Sequence, residues 1–339
     1  MHNAVEAIVW SGDHLRLLDQ RRLPAAEVWL ECRSSAQVAD AIGNMAVRGA
    51  PAIGIAAAYG MAMASQSGEN LRRAEAALAA SRPTAVNLAW ALRRMHVLIA
   101  QGGGSQALIA EAQAIHVEDR QQNQTMGRIG ADLLPDQAVV ITHCNTGALA
   151  TGGHGTALGV IRSAWQQKKI KRVYNTETRP WLQGARLTSW ELQREGIESR
   201  LMADGAAAHL MATGVVDWVI VGADRIAANG DTANKIGTYS LAVSAWRHGV
   251  KFMVVAPGSS FDLDCKDGTW IPIEERGPGE LVQIQSRPIA PAGTQTWNPV
   301  FDVTPAELID AIVCEHGVIQ RPESGRIARF FESPNLPEV

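Results

Sequence analysis

Two short apolar runs, each ending in a polar turn, most constrain what this chain can fold into. Residues 138–142 are followed by His143-Cys144-Asn145, and residues 218–221 are followed by Gly222-Ala223-Asp224. Short β-branched runs bounded by turn residues are typical of buried parallel strands, and open α/β sheets bind ligands beyond the carboxyl ends of such strands. We therefore expect a site at this sheet edge, with Cys144 and Asp224 as its first candidate residues.

Each of these residues also has an ordinary structural explanation. A cysteine after a strand is commonly a small buried hydrophobe, and an aspartate in that place commonly caps a helix. His143 beside Cys144 suggests a thiol–imidazole pair, but adjacent residues of a strand point to opposite faces. We therefore do not expect a Cys–His nucleophile, and a cysteine-dependent hydrolase is the least favoured function.

From about residue 135 onward, apolar runs alternate with helical patterns. The predicted strands are 138–142, 172–174, 199–202, 218–221 and 251–255, and the predicted helices between them are 156–167, 188–195, 206–213 and 239–249. This order favours βαβ crossovers and a doubly wound, mainly parallel sheet. A proline-rich tail after residue 258 is expected to wrap the surface before a last helix from Pro305 to Cys314.

The first 134 residues have a different pattern. Alternating segments predict a small antiparallel sheet near 7–10, 15–19 and 27–30, and apolar periodicity predicts helices at 36–47, from Pro51 onward, 69–80, 84–100 and 106–134. We place a domain boundary near Leu134. Residues 1–134 are then a smaller, mainly helical domain with a short sheet, and residues 135–339 are the α/β domain.

Composition disfavours several classes of protein. The 339 residues include 31 lysines and arginines against 34 aspartates and glutamates, with no segment of like charge, so nucleic acid and anionic membranes are disfavoured partners. A small anionic substrate fits. The four cysteines are far apart and form no C-x-x-C pair, which is typical of a reducing cytoplasm. We expect no membrane span, no signal peptide and no metal site, because the spacings that define them are missing.

Several segments combine cations or amides with exposed backbone N–H groups. Arg48-Gly49-Ala50 precedes Pro51 at a predicted helix start, Arg82-Pro83-Thr84 repeats this arrangement, and residues 145–159 form a glycine-rich loop that enters a helix. Helix starts of this kind bind anions, and arginine binds phosphate. The loop matches neither the Walker nor the dinucleotide-binding pattern. Taken singly, each arginine is also an ordinary surface charge and the loop an ordinary flexible turn.

Two later segments are equally polar. Residues 173–176 lead into Glu177-Thr178-Arg179-Pro180 and then Gln183-Gly184-Ala185-Arg186, where a structural salt bridge is at least as good an explanation as catalysis. Asn234 and Lys235 stand at a predicted helix entrance, where they can hold hydroxyl and phosphate groups.

In this order, the segments resemble the methylthioribose-1-phosphate isomerase family over nearly the whole chain. The resemblance rests on residues 45–54, 82–88, 142–145 with the glycines that follow, 177–186, 222–225 and 234–238. It implies a Rossmann-like C-terminal domain and a cytoplasmic homodimer with no cofactor and no metal. It also implies an aldose–ketose isomerisation in methionine salvage, from 5-methylthioribose 1-phosphate to 5-methylthioribulose 1-phosphate.

The resemblance also implies roles for individual residues. Asp224 is the acid/base and Cys144 stabilises the reacting centre. The residues implied to contact the sugar phosphate are Arg48, Gly49, Ala50, Arg82, Gln183, Asn234 and Lys235.

The resemblance leaves other functions open. Related isomerases act on 5-deoxyribose 1-phosphate or ribose 1,5-bisphosphate, and regulatory subunits of the eukaryotic initiation-factor exchange complex share the fold as binding modules. A binding module has no reason to keep both Cys144 and Asp224. Among the sugars, an apolar wall near C5 favours a methylthio or methyl group, and a cationic wall favours a second phosphate.

Overall fold

The computed structural model describes residues 5–284 and 287–332. The chain begins with an antiparallel sheet of three strands, β1 (Ile8–Trp10), β2 (Leu15–Leu18) and β3 (Trp29–Cys32). Five helices follow: α1 (Ser35–Gly43), α2 (Ala50–Ser67), α3 (Leu71–Ser81), α4 (Val86–Ala100) and α5 (Ser105–Asp132). The sheet and helices predicted for this part are confirmed, with ends shifted by a few residues.

Helix α2 is the centre of this N-terminal part. All of its residues from Ala52 to Ala64 are buried, and most of them are alanine, glycine or another small side chain. Small residues let neighbouring helices approach closely. A Cβ at Gly54 would lie only 2.8 Å from the carbonyl oxygen of Asn87 in α4. The start of α2 is thereby fixed against its neighbours.

The rest of the chain alternates strands and helices. Its strands are β4 (Ala138–Thr142), β5 (Ile170–Thr176), β6 (Ser199–Met202), β7 (Trp218–Val221), β8 (Arg225–Ala227), β9 (Thr232–Lys235), β10 (Lys251–Val255), β11 (Phe261–Asp262), β12 (Gln283–Ile284), β13 (Arg287–Pro288), β14 (Phe301–Thr304), β15 (Ala311–Cys314) and β16 (Gly317–Gln320). Its helices are α6 (Ala157–Gln166), α7 (Ser189–Arg194), α8 (Ala206–Ala212), α9 (Thr238–His248), α10 (Gly279–Val282) and α11 (Ser324–Glu332).

Among the described residues, seven of these strands form one sheet in the order β16-β15-β10-β7-β4-β5-β6. All neighbours pair in parallel except β15 and β16. Side chains alternate between two cores: Val140 and Ile220 pack in the one that includes α6, whereas Ile141 and Val221 pack in the one that includes α9. The predicted α/β fold with a mainly parallel sheet is confirmed.

Strand β4 is the point where the strand order reverses. The chain goes from β4 to β5 and β6 on one side, and then returns to β7, β10 and β15 on the other. Strands β4 and β7 are direct neighbours, with Thr142 paired to Ile220. A switch point of this kind opens a crevice at the carboxyl ends of the two strands. Cys144 and Asp224 follow these two ends.

The predicted last helix from Pro305 to Cys314 is wrong. Residues 306–308 form a single 3-10 turn, and Ala311–Cys314 is strand β15, which pairs in parallel with β10. All four residues of β15 are buried. Their pairing and packing in the sheet outweigh the helix propensity of the residues before them. The tail also contributes to a small sheet, in the order β11-β8-β9-β14, which the sequence pattern did not predict.

Candidate active site

Cys144 follows β4 in a left-handed backbone conformation, with φ +63°. Its N–H donates to Thr178 Oγ1 at 2.9 Å, and its carbonyl oxygen accepts from Thr188 Oγ1 at 2.6 Å. A non-glycine residue at positive φ is uncommon and clusters at functional sites when surrounding contacts hold it. Two threonines thus fix the direction in which the buried Cys144 projects from the sheet edge.

His143 does not serve Cys144. One ring nitrogen is 2.7 Å from Thr176 Oγ1 and the other is 2.9 Å from the carbonyl oxygen of Ile236. Burial lowers the pKa of His143, which favours the neutral ring. Both nitrogens are therefore engaged elsewhere, as the expectation of no Cys–His pair requires.

Asp224 follows β7, and its N–H donates to the carbonyl oxygen of Ala233 at 2.9 Å. Together with Gly49, Ala50 and Arg82 it lines a cavity of about 50 Å³. Burial raises the pKa of Asp224 above its ordinary value, although nearby cations, Lys235 first among them, act in the opposite direction. The neutral, protonated carboxyl is therefore favoured over a wider pH range than in an exposed aspartate.

Asn234 and Lys235 lie at the end of strand β9, and the prediction of a helix entrance is wrong. Both pair with β14, and α9 begins only at Thr238. The Asn234 amide donates to Thr238 Oγ1 at 3.0 Å. The Lys235 Nζ donates to the carbonyl oxygen of Val300 at 2.8 Å and lies 4.2 Å from the centre of the Phe301 ring.

Lys235 links the two reactive side chains electrostatically. Burial lowers its pKa to about 8, while Cys144 and Asp224 act in the opposite direction. Both groups thus influence the protonation of one buried lysine.

Arg48 and Gly49 bring the start of α2 to the loop after Cys144. The guanidinium Nη1 and Nη2 of Arg48 donate to the Oδ1 and carbonyl oxygen of Asn145, at 2.8 and 2.7 Å. Gly49 has φ +99°, and a Cβ there would lie 2.5 Å from the Cα of Ala150. Only glycine allows this approach. Ala50 begins α2, so free helix N–H groups and a cation meet the loop together.

Arg82 and Arg276 share one carboxylate. Arg82, at the end of α3, lies 3.5 Å from one Glu274 oxygen, and Arg276 donates from Nε to the other at 2.7 Å. Arg276 is among the cations that act on both Asp224 and Lys235, yet sequence reasoning did not single it out. Its only signal is the charged run Glu274-Glu275-Arg276 before Gly277-Pro278, which resembles any exposed turn.

Gln183 has an unpartnered amide oxygen. The residue is only 3% exposed, and its Oε1 has no hydrogen-bond partner among the described residues. The chain turns tightly after it into the π-helical turn Gly184–Thr188. A buried polar atom without a partner is costly, and the hydroxyl group of a bound ligand would satisfy it. Neither Gln183 nor Asn234 lines the cavity that Asp224 shares with Gly49.

The remaining walls of that cavity are largely apolar. They are formed by Ile53, Ala233, Ile271, Pro272, Ile273 and Phe301. The cavity also touches Arg225, whose guanidinium donates to Asp262 and to the carbonyl oxygen of Thr84, both at 3.1 Å. The cavity thus combines arginine side chains with apolar walls that suit an alkyl or thioether group.

The described residues contain neither a metal-ligand cluster nor a helix suited to a membrane. Within residues 5–284 and 287–332, no three histidine, cysteine, aspartate or glutamate side chains are grouped as metal ligands. No helix in this part of the chain combines the length and apolar character that crossing a bilayer requires.

Cys144 and Asp224 follow neighbouring strands of an α/β sheet, and Asp224 shares a cavity with the start of α2. The model of the initiation factor 2 subunit family matches residues 46–321, and the chain belongs to that family. Within it, the chain groups with proteins named methylthioribose-1-phosphate isomerase. The one from Alkalilimnicola ehrlichii is 60% identical over 94% of this chain and 95% of its own, and the one from Thioalkalivibrio sulfidiphilus is 57% identical over 97% and 98%.

Solved structures agree on the fold. The 5-methylthioribose 1-phosphate isomerase from Pyrococcus horikoshii OT3 matches with a TM-score of 0.91 and 41% identity over 96% of both chains. A structure described as translation initiation factor eIF-2B, subunit delta, from A. fulgidus matches with a TM-score of 0.83 and 41% identity, over 96% of this chain and all of that one.

Proposed function

We propose that this chain is an aldose–ketose isomerase that converts 5-methylthioribose 1-phosphate to 5-methylthioribulose 1-phosphate in methionine salvage. The observation that carries the proposal is that Cys144 and Asp224 follow the ends of two adjacent parallel strands. Relatives of 60% and 57% identity over nearly their full lengths bear the name of this enzyme.

The chemistry follows from the substrate. Its anomeric phosphate ester prevents ring opening in solution, so the ring must open on the enzyme. Asp224 donates a proton to the ring oxygen, which requires the neutral carboxyl that its raised pKa favours. Hydrogen then moves from C2 to C1, either as a proton through an enediol-like species or as a hydride, and the C2 hydroxyl gives its proton to the Asp224 carboxylate as the ketone forms. Cys144 serves these carbons as a proton carrier or as a dipolar stabiliser.

Binding energy comes from the phosphate. Arg48, Arg82 and Lys235 supply charge, and the first N–H groups of α2, at Gly49 and Ala50, supply directed donors. Gln183 and Asn234 complete the contacts through the sugar hydroxyls. Holding the phosphate in this way orients the sugar carbons toward Cys144 and Asp224.

The apolar walls favour a methylthio group over a second phosphate. Ile53, Ile271 and Phe301 offer no hydrogen-bond donor from their side chains to an anion. A phosphate placed against them would lose hydration without compensation. The same walls gain from burying sulfur and carbon. Ribose 1,5-bisphosphate is accordingly the less favoured substrate, whereas 5-deoxyribose 1-phosphate differs less from the preferred one.

An NMR assay with three sugar phosphates tests the proposal. The purified chain should form a ketose fastest from 5-methylthioribose 1-phosphate, more slowly from 5-deoxyribose 1-phosphate and least from ribose 1,5-bisphosphate. Cys144→Ser should remove most turnover, and Cys32→Ser, which changes a buried thiol in strand β3 of the N-terminal sheet, should not. Absence of a ketose from all three sugars with the native chain would overturn the proposal.

A non-catalytic binding subunit is the second candidate. It is favoured by the 41% identity to the structure described as subunit delta of an initiation factor. This candidate predicts that the native chain makes no ketose and that Asp224→Asn leaves its behaviour unchanged.

The finer architecture and setting complete the proposal. We infer a Rossmann-like, doubly wound catalytic domain over 135–339, a smaller helical domain over 1–134, and a cytoplasmic homodimer that uses no cofactor. Light scattering on the purified chain tests the dimer, and separate expression of the two segments tests the boundary.

A further inference from the structure

A buried carboxylate lies behind the loop that follows Cys144. Glu191, in α7, is fully buried. Its two oxygens accept hydrogen bonds from Asn145 Nδ2 at 2.7 Å, from the N–H of Ala148 at 2.8 Å and from the N–H of Leu149 at 3.3 Å. Arg162 donates to it at 2.6 Å. Glu191 therefore holds the loop as well as a buried cation.

The carboxylate fixes the direction of the Asn145 amide. A carboxylate only accepts hydrogen bonds, so the Nδ2 of Asn145 must face Glu191 and its Oδ1 must face the other way. That oxygen accepts from Arg48 Nη1 at 2.8 Å, and the Asn145 carbonyl oxygen accepts from Nη2 at 2.7 Å. Glu191, Asn145 and Arg48 are therefore joined by buried hydrogen bonds whose donors and acceptors cannot be exchanged.

We propose that Glu191 is a positioning residue for substrate binding. Acting through Asn145, it fixes the Arg48 guanidinium beside the start of α2, where Gly49 and Ala50 line the cavity. The inference rests on the proposed function for the identity of the anion. The role proposed for Glu191 concerns binding and not the chemical step, because Glu191 does not line the cavity.

A purely structural role for Glu191, as the partner of Arg162, is the competing explanation. Arg162 has a second partner, because Glu195 accepts from its Nε at 2.6 Å and from its Nη2 at 2.7 Å. Glu195 therefore neutralises Arg162 and has no side-chain hydrogen bond to the described part of the loop. The two glutamates differ in the contact to Asn145, which makes Glu195→Gln a matched control for Glu191→Gln.

Calorimetric titration with inorganic phosphate tests the proposal without using turnover. Glu191→Gln places an amide donor opposite four existing donors. The Asn145 side chain therefore turns or shifts, and it no longer holds the Arg48 guanidinium in place. We expect phosphate affinity to fall about tenfold, as for the loss of one hydrogen bond to a charged group. In the isomerase assay, KM should rise with little change in kcat. Glu195→Gln should bind phosphate as the native chain does.

A reversal of polarity separates positioning from folding. Asn145→Asp alone places two carboxylates together and should also weaken phosphate binding. In the double variant Asn145→Asp with Glu191→Gln, the introduced amide donates to the introduced carboxylate, which still offers an oxygen to Arg48. We expect this pair to recover much of the lost affinity, and it replaces the single variants if thermal unfolding shows that they do not fold.

The outcomes are distinct. The proposal is overturned if Glu191→Gln binds phosphate as tightly as the native chain, if Glu195→Gln weakens binding equally, or if the double variant binds no better than Asn145→Asp. It is also overturned if the native chain binds no phosphate. A native chain that binds phosphate but forms no ketose would instead overturn the proposed function and leave the positioning result standing.

Discussion

Replacing Asp224 with asparagine tests the acid directly. The change keeps the size of the side chain and removes the proton that the mechanism requires. General acid catalysis by a positioned group contributes a factor of about 10² to 10⁴. We therefore expect kcat to fall by roughly this factor, which corresponds to about 3–5 kcal/mol of transition-state stabilisation.

Substrate binding should survive this change. Four cations act on Asp224, namely Lys235, Arg82, Arg48 and Arg276. Removing a negative charge from among them makes the site more attractive to a phosphate, so KM should stay the same or fall. A loss confined to kcat identifies an interaction made in the transition state.

The pH profile adds an independent measurement. Asp224 must be protonated to act as an acid, so kcat/KM of the native enzyme should fall as pH rises through its pKa. Because burial raises the pKa of Asp224, this fall should lie above the ordinary aspartate range. Asp264→Asn, which changes an exposed carboxyl, serves as the control. Near-native kcat in Asp224→Asn, or an unchanged alkaline limb in its profile, would refute the acid role.

Three further substitutions test the surroundings of the site. Gly49→Ala should destabilise the fold by more than ~2 kcal/mol, since φ is +99° and the new Cβ would lie 2.5 Å from Ala150 Cα, whereas Gly68→Ala, at φ +73° in open space, should cost about 1 kcal/mol; denaturant unfolding measures both. Phosphate should inhibit the native chain less strongly as pH rises through about 8, the value to which burial lowers the Lys235 pKa. Lys235→Met should remove this dependence on pH. Asp119→Asn should become more stable than the native chain as pH rises from about 4 to about 7. Burial raises the pKa of Asp119 to about 7, so the native fold loses up to ~4 kcal/mol over this range as the unfolded chain ionises, and thermal unfolding across the range measures the difference.

Each of these predictions has an outcome that contradicts it. Equal losses of stability at Gly49 and Gly68 would mean that the loop does not press on the start of α2. A phosphate inhibition constant that does not change with pH in the native chain would exclude Lys235 as the titrating cation. If the stabilities of the native chain and of Asp119→Asn change with pH in the same way, the pKa of Asp119 does not differ between the folded and unfolded chain.

The strands at the centre of the sheet were predictable because they are continuous apolar runs between turn residues. The predicted bounds of β4, β6, β7 and β10 match those of the structure. Strands β8, β9 and β14 were not predicted. They are short, and β9 pairs both with the preceding strand β8 and with β14, which lies far along the chain. Pairing between distant segments leaves no periodic signal in either of them.

Polar contacts behind the site were equally out of reach. Motif resemblance found Arg48 and the loop after Cys144, but neither the contact of Glu191 with Asn145 nor the place of Arg276 beside Glu274 follows from spacing. Both depend on which side chains meet when helices and loops pack. Sequence patterns indicate which residues are buried, but not which hydrogen bonds they make there.

The close contact of α2 with the glycine-rich loop affects both phosphate binding and proton donation by Asp224. By bonding to Asn145, Arg48 leaves water and becomes only 9% exposed, which strengthens its attraction for a phosphate. Burial also raises the pKa of Asp224, which shares a cavity with Gly49. Any change that lets water between Gly49 and Ala150 should therefore weaken both together. In Gly49→Ala, phosphate binding should weaken and the alkaline limb of the kcat/KM profile should move to lower pH, whereas Gly68→Ala should move neither.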